Sequence, residues 1–89
     1  MNRIDVYNLI QTERAYQDSL DHTRTDGCAK GVGDYLTLLR VYLREAEERY
    51  GRVSGNTESL DSIRKIAAIA VACMEVHDTP ARKPWPKQS

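Results

Sequence analysis

The residue types with chemistry to offer are few and scattered. Cys73 and His77 stand four positions apart, which on a helix turns both side chains to one face. His22 and Cys28 bring the same ligand types from an earlier segment. Thiolate and imidazole are what tetrahedral zinc takes, but the earlier pair lacks the short spacing of structural zinc sites. Cys73 serves equally as a small core residue, and His77 as a cation suited to the negative end of a helix. The expectation is no metal and no other cofactor. No local signature of a cysteine nucleophile surrounds Cys28. A pair of catalytic carboxylates would need a concavity that a small helical subunit scarcely offers, so no catalytic residue is assigned.

A second group lies in the stretch DHTRTDGCAKGVGDYL, residues 21–36. A phosphate-cradling P-loop needs Gly, four residues, then Gly-Lys-Ser/Thr, after a buried strand. Here Val32 falls where the second glycine belongs, Lys30 precedes Gly31, and the preceding pattern is helical. What survives is weaker. Gly31-Val32-Gly33-Asp34 leads into a helix start, whose open backbone N–H groups favour anions, with Lys30 and Arg24 adding positive charge. The plain alternative is a glycine-rich connection.

The third group is the least expected. Glu13 falls on the apolar face of the first helix, between Ile10 and Tyr16, with Arg14 and Gln17 beside it. A carboxylate there needs a partner, and Arg64 or Lys65 could reach it as an ion pair locking the first helix to the third. The functional alternative is a shared pocket in which Glu13, Arg14, Tyr16 and Gln17 bind a polar ligand.

These residues are carried by three helical patterns. The first runs from about Asp5 to Leu20, with Val6, Leu9, Ile10, Glu13, Tyr16, Gln17 and Leu20 recurring at three- and four-residue steps. Asn2 or Asp5 suits its start. The second starts near Val32 to Asp34 and runs to about Tyr50, with Leu36, Leu39, Leu43, Ala46, Tyr50 and Val53 as its stripe. Gly51 and the SGNT turn end it. The third begins after Thr57 or Ser59 and reaches about His77, presenting Leu60, Ile63, Ile66, Ala67, Ala70, Cys73, Met74 and His77 on one face. No two-residue alternation signals a strand. The fold class is therefore all-α: a helical hairpin plus an N-terminal helix in one domain, residues 1–78. An extended proline-rich tail, residues 79–89, follows, in which Trp85 packs on the body or reaches a partner.

From Ile66 to Met74 every position is apolar. A helix apolar all round is covered on several sides, and three helices cannot surround one of their own. A homo-oligomeric contact through Ala68, Ile69, Val71 and Ala72 is expected, against the alternative of alanines left facing water.

Composition narrows the partners. The 89 residues hold thirteen basic and thirteen acidic side chains, and this balance argues against sequence-independent nucleic-acid binding. Two cysteines are too few for a disulfide framework. The opening MNRIDVYNLIQTE lacks the apolar run of a signal peptide, and the longest apolar run is too short for a bilayer span. A cytoplasmic protein is expected.

The spacing Tyr7-x-x-Ile10-x-x-Glu13-Arg14-x-x-Gln17-Asp18, with VGDYLTLLRVYLREAEE and LDSIRKIAAIAVACMEVH further on, resembles a group of small phage and prophage proteins. That group in turn resembles the all-α MazG-like nucleotide pyrophosphohydrolases, which hold Mg²⁺ through Glu-Glu-x-x-Glu and Glu-x-x-Asp motifs on successive helices. The matching positions here are Val41-Tyr42-Leu43-Arg44-Glu45, which keeps only the last acid, and Asp61-Ser62-Ile63-Arg64, where a cation stands in place of the second acid. Two carboxylates beside arginines make a poor magnesium cage, so pyrophosphohydrolysis, as a degenerate enzyme, is the least favoured expectation. The resemblance implies instead a non-catalytic helical oligomer that sequesters a nucleotide or nucleotide-derived signal against host defence. Arg44 and Arg64 would hold phosphate, and Tyr16, Tyr35 or Tyr42 would stack on a base. The alternative is an interaction module that docks on a host protein through the third helix and the Trp85 tail.

Overall fold

A computed structural model describes residues 1–21, 30–52 and 56–83, which form three α-helices and no strand. Helix α1 spans Arg3–Asp21, α2 spans Val32–Tyr50 and α3 spans Asn56–His77. His22, Arg24 and Cys28 from the glycine-rich stretch, Val53, and Trp85 of the tail lie outside the described residues.

Local chemistry sets the helix ends. The Asp5 N–H donates to Asn2 Oδ1 at 2.9 Å, while the Asn2 N–H donates to the Asp5 carboxylate at 3.3 Å, so both residues cap α1 reciprocally. At α2 the Gly31 N–H donates to Asp34 Oδ2 at 2.9 Å, and the Gly51 N–H closes the other end on the Glu47 carbonyl at 3.1 Å. Helix α3 ends where Asp78 turns left-handed, with φ of 53°; Asp is among the residues that tolerate this conformation, and Pro80 bars a restart.

Helices α2 and α3 form an antiparallel hairpin. At its turn end, Ser59 Oγ donates to the Ala46 carbonyl at 3.0 Å and Ser62 Oγ reaches Glu45 Oε1 at 3.5 Å. At the far end, His77 Nε2 lies 2.7 Å from the Lys30 carbonyl oxygen, and its ring meets Tyr35 edge-on at 6.1 Å. Small residues set the spacing: Ala46 is 4% exposed and Ser62 fully buried.

Helix α1 joins the hairpin through α3. Glu13 Oε1 accepts from Arg64 Nε at 2.9 Å, and Arg14 Nε donates to Glu75 Oε1 at 3.1 Å. Adjacent residues of α1 thus reach points eleven positions apart on α3, about 16 Å along its axis. Helix α1 lies across α3 rather than alongside it. Ala68, fully buried, marks the covered side of α3 away from α2.

The apolar faces differ from the sequence expectation in orientation. On α1 the half-buried positions are Ile10, Glu13, Arg14 and Gln17, whereas Val6, Leu9, Tyr16 and Leu20 are exposed. On α2 the buried residues are Tyr35 and Ala46, while Leu36, Leu43 and Tyr50 are exposed. The oligomeric face expected at Ala68, Ile69, Val71 and Ala72 is corrected: Ala68 and Ile69 are buried within the subunit, and Val71 and Ala72 are half-buried. The cause is that α3 sits between α1 and α2, so both of those sides are already covered. The apolar side left open carries Leu60, Ile63 and Met74 instead, residues that the periodicity assigned to the covered face.

Candidate functional site

Among the described residues a concave feature lies where the second half of α1, the first half of α2 and the last turns of α3 meet. It is a cleft of about 400 Å³. Ile69, Ala72 and Val76 of α3 and Leu38 of α2 supply its apolar lining. Tyr35 and Tyr42, seven positions apart on α2, add aromatic walls. Arg14 and Gln17 enter from α1, one turn apart, and Lys30 enters just ahead of α2.

The polar side is organised around Arg14. Its guanidinium donates to Glu75 Oε1 at 3.1 Å, to Gln17 Oε1 at 3.3 Å and to Asp18 Oδ1 at 2.8 Å. Three of its five N–H donors are therefore spent within the chain. The Glu75 hydrogen bond, reinforced by Asp18, outweighs the cost of burial and holds the Arg14 cation more firmly than usual. The Lys30 ammonium stands 6.0 Å from the centre of the Tyr35 ring, a favourable placement for a cation. Asp18 and Glu75 balance Arg14, so the cleft holds mixed charge rather than a strong positive field. An anion alone finds a modest attraction here; one carrying an aromatic base has the tyrosines as well.

The other expected site residues lie elsewhere. Glu13 is committed to Arg64 and its side chain is only 11% exposed, which is the ion pair between first and third helices anticipated from the sequence. Tyr16 is exposed outside the cleft, and Arg44 is exposed on α2. Arg64 donates to both Glu13 and Asp61. The start of α2 already has its anion, the Asp34 carboxylate on Gly31.

The two acids that the resemblance places at a metal site, Glu45 and Asp61, are bridged by a cation of the chain itself. Arg49 Nη2 lies 2.9 Å from Glu45 Oε1, and Arg49 Nη1 lies 3.1 Å from Asp61 Oδ2 while also donating to the Glu58 carbonyl at 3.2 Å. Lys65 Nζ stands 3.6 Å from the same Asp61 oxygen. Burial pushes the Asp61 carboxyl up, but hydrogen bonds from Arg64 and Arg49 outweigh it and leave it below the ordinary carboxylate value. Among the described residues no three His, Cys, Asp or Glu side chains converge as a metal would require. Cys73 is half-buried on α3, and His77 is engaged with Lys30 and Tyr35. No helix among the described residues is long and apolar enough to cross a membrane.

Set against known families, characterised proteins and solved structures, the chain matches none. The site must be read from its own chemistry. Sequence reasoning had named Arg14, Gln17, Lys30, Tyr35 and Tyr42 but had no means of placing them in one cleft. It missed Arg49 and Glu75, which reach across to Asp61 on α3 and to Arg14 on α1.

Proposed function

We propose that the chain is a non-catalytic helical binding protein, acting as an oligomer, that holds a nucleotide or nucleotide-derived ligand in the cleft between α1, α2 and α3. The carrying observation is the convergence, from three separate elements, of Arg14, Gln17, Lys30, Tyr35 and Tyr42 around about 400 Å³. A base stacks on tyrosine without needing a particular sequence of donors. Lys30 and the remaining Arg14 donors answer phosphate, and the Gln17 amide adds polar contacts to the base or sugar. The resemblance to phage proteins supports a role in sequestering such a signal from host defence. The arginine between Glu45 and Asp61 supports binding without hydrolysis.

Calorimetric titration with inorganic phosphate, nucleoside monophosphates and triphosphates, and cyclic dinucleotides tests this. Binding of at least one nucleotide, without measurable heat from inorganic phosphate, is the expected result. Tyr42→Ala should then weaken it about tenfold, since base–aromatic stacking contributes about 1–3 kcal/mol. Absence of heat from the whole set sinks the reading. It would favour the interaction module, whose support is the set of large apolar side chains exposed along the hairpin.

A further inference from the structure

The hairpin has a second side, opposite the cleft, and it is apolar. On α2, Leu36, Leu43 and Tyr50 recur at seven-residue intervals. At about 100° per residue they fall within about 40° of one another, and about 70° round the helix from Tyr35 and Ala46, which are buried against α3. Leu39, half-buried, fills the interval between them. On α3, Leu60, Ile63, Ala67, Ala70 and Met74 advance by alternate threes and fours. This stripe lies about 90° round from Ser59 and Ser62, which face α2. On each helix the displacement from the shared contact runs in the same rotational sense. Because the helices are antiparallel, that sense carries both stripes to the same side of the hairpin. The cleft residues Tyr42, Ile69 and Val76 are displaced in the opposite sense and lie on the other side.

The stripes carry no charged side chain, and their large members Leu36, Leu43, Tyr50, Leu60, Ile63 and Met74 are between 48% and 65% exposed. Exposure on that scale at six large side chains, with Leu39, Ala67 and Ala70 between them, amounts to roughly 700 Å² of one side of the hairpin, more than a monomer commonly leaves open in one patch and close to the roughly 800 Å² that each partner contributes to a standard interface.

We infer that a second copy of this chain covers this side, two α2–α3 hairpins packing face to face about a twofold axis into a four-helix bundle, with the cleft of each copy turned outward. A self-complementary surface is what a twofold contact requires, and two identical uncharged stripes meet that condition without a buried ion. The small Ala67 and Ala70 between larger neighbours leave recesses into which leucines of the facing hairpin fit. The inference deepens the oligomeric part of the proposed function but stands apart from ligand binding, since the two sides of the hairpin share none of these residues.

Light scattering coupled to size exclusion, on the full chain without ligand, decides it. The expected particle mass is twice the 10.1 kDa chain mass; a particle of one chain mass overturns the inference. Leu43→Glu and Ile63→Glu should each weaken self-association at least about 30-fold, the loss typical of a central interface residue, with helix content by circular dichroism retained. Met74→Gln, an uncharged change at a position 51% exposed, covers the case in which a glutamate prevents folding, and should weaken association about threefold. Leu9→Glu, on the exposed face of α1, should leave the dimer intact. A dimer that Leu43→Glu, Ile63→Glu and Met74→Gln all leave undisturbed would place the contact elsewhere and refute the inference. Tyr42→Ala should weaken nucleotide binding about tenfold while keeping the doubled mass, so failure of the ligand reading and failure of this one give different results.

Discussion

Helix α3 makes two contacts of opposite character. Toward α2 it is mainly close packing: Ala46, Ser59 and Ser62 let the backbones approach, the serine hydroxyls are satisfied across the gap by the Ala46 carbonyl and the Glu45 carboxylate, and the Arg49–Asp61 ion pair flanks them. Toward α1 it is ionic: Glu13 pairs with Arg64 and Arg14 with Glu75 on either side of the crossing. The first contact depends on shape, where any added volume is felt. The second depends on charge, where the pairs offset the cost of desolvating their own ions and leave a small surplus. The hairpin is therefore the stable unit, and α1 is the element whose position is set by a few directional bonds. Arg14 and Gln17 enter the cleft from that less firmly held helix.

The largest test of this contrast is Ala46→Leu. Ala46 is 4% exposed at the helix contact, and forcing a larger side chain between α2 and α3 should cost about 3 kcal/mol, a large share of the stability of so small a domain. Chemical denaturation at one fixed protein concentration measures it. A loss below about 1 kcal/mol would mean that the helices separate easily and that close approach is not what holds the hairpin.

A smaller and more local loss is expected from Arg64→Ala, which leaves the nearly buried Glu13 carboxylate without its partner. About 2 kcal/mol should be lost. Hydrogen exchange should accelerate in α1 while α2 and α3 keep their protection. Uniform acceleration across all three helices would contradict the two-contact description.

The smallest effect is a pH dependence. The Asp61 carboxyl lies below its ordinary value in the folded chain because Arg64 and Arg49 hold its charged form. A carboxyl with a depressed folded value contributes stability that is present above its unfolded value, near 3.8, and is lost as pH falls through the folded one. Stability should thus decline on acidification below about pH 4.5, within about one unit above the unfolded value. Asp61→Asn should flatten that decline in urea titrations. An unchanged acid limb in the variant would show that Asp61 is not among the groups responsible.

The three helices and most of their ends were legible because each announces itself locally: Asn2 with Asp5, Asp34 after Gly31, Gly51, and Pro80 beyond His77. The placement of their faces was not. Where every residue from Ile66 to Met74 is apolar, periodicity has no phase, and nothing in the pattern tells the side toward α2 from the side toward solvent. Helix α1 misled in another way. Of its regular apolar stripe, Val6, Leu9 and Tyr16 are exposed and Leu20 only borders the cleft, while the half-polar set of Ile10, Glu13, Arg14 and Gln17 makes the contact. The rule that apolar residues face inward gives way there to the pairing of charges far apart in sequence, Arg14 with Glu75 and Glu13 with Arg64. Glu13 alone betrayed this, because a carboxylate on an apolar face demands a partner. The individual cleft residues were legible as chemistry, but bringing Lys30 and Tyr42 beside Arg14 depended on how α1 crosses the hairpin, which no local spacing records.

The alternating three- and four-residue steps along α2 and α3 have a mechanical consequence. Their mean period is 3.5, slightly shorter than the helical turn, so a straight helix would let each stripe drift by about 20° per heptad. Hairpins that keep such stripes in register must coil around one another in a left-handed sense. Extending either helix by seven residues would preserve that winding, whereas adding a single turn would rotate the stripe out of register.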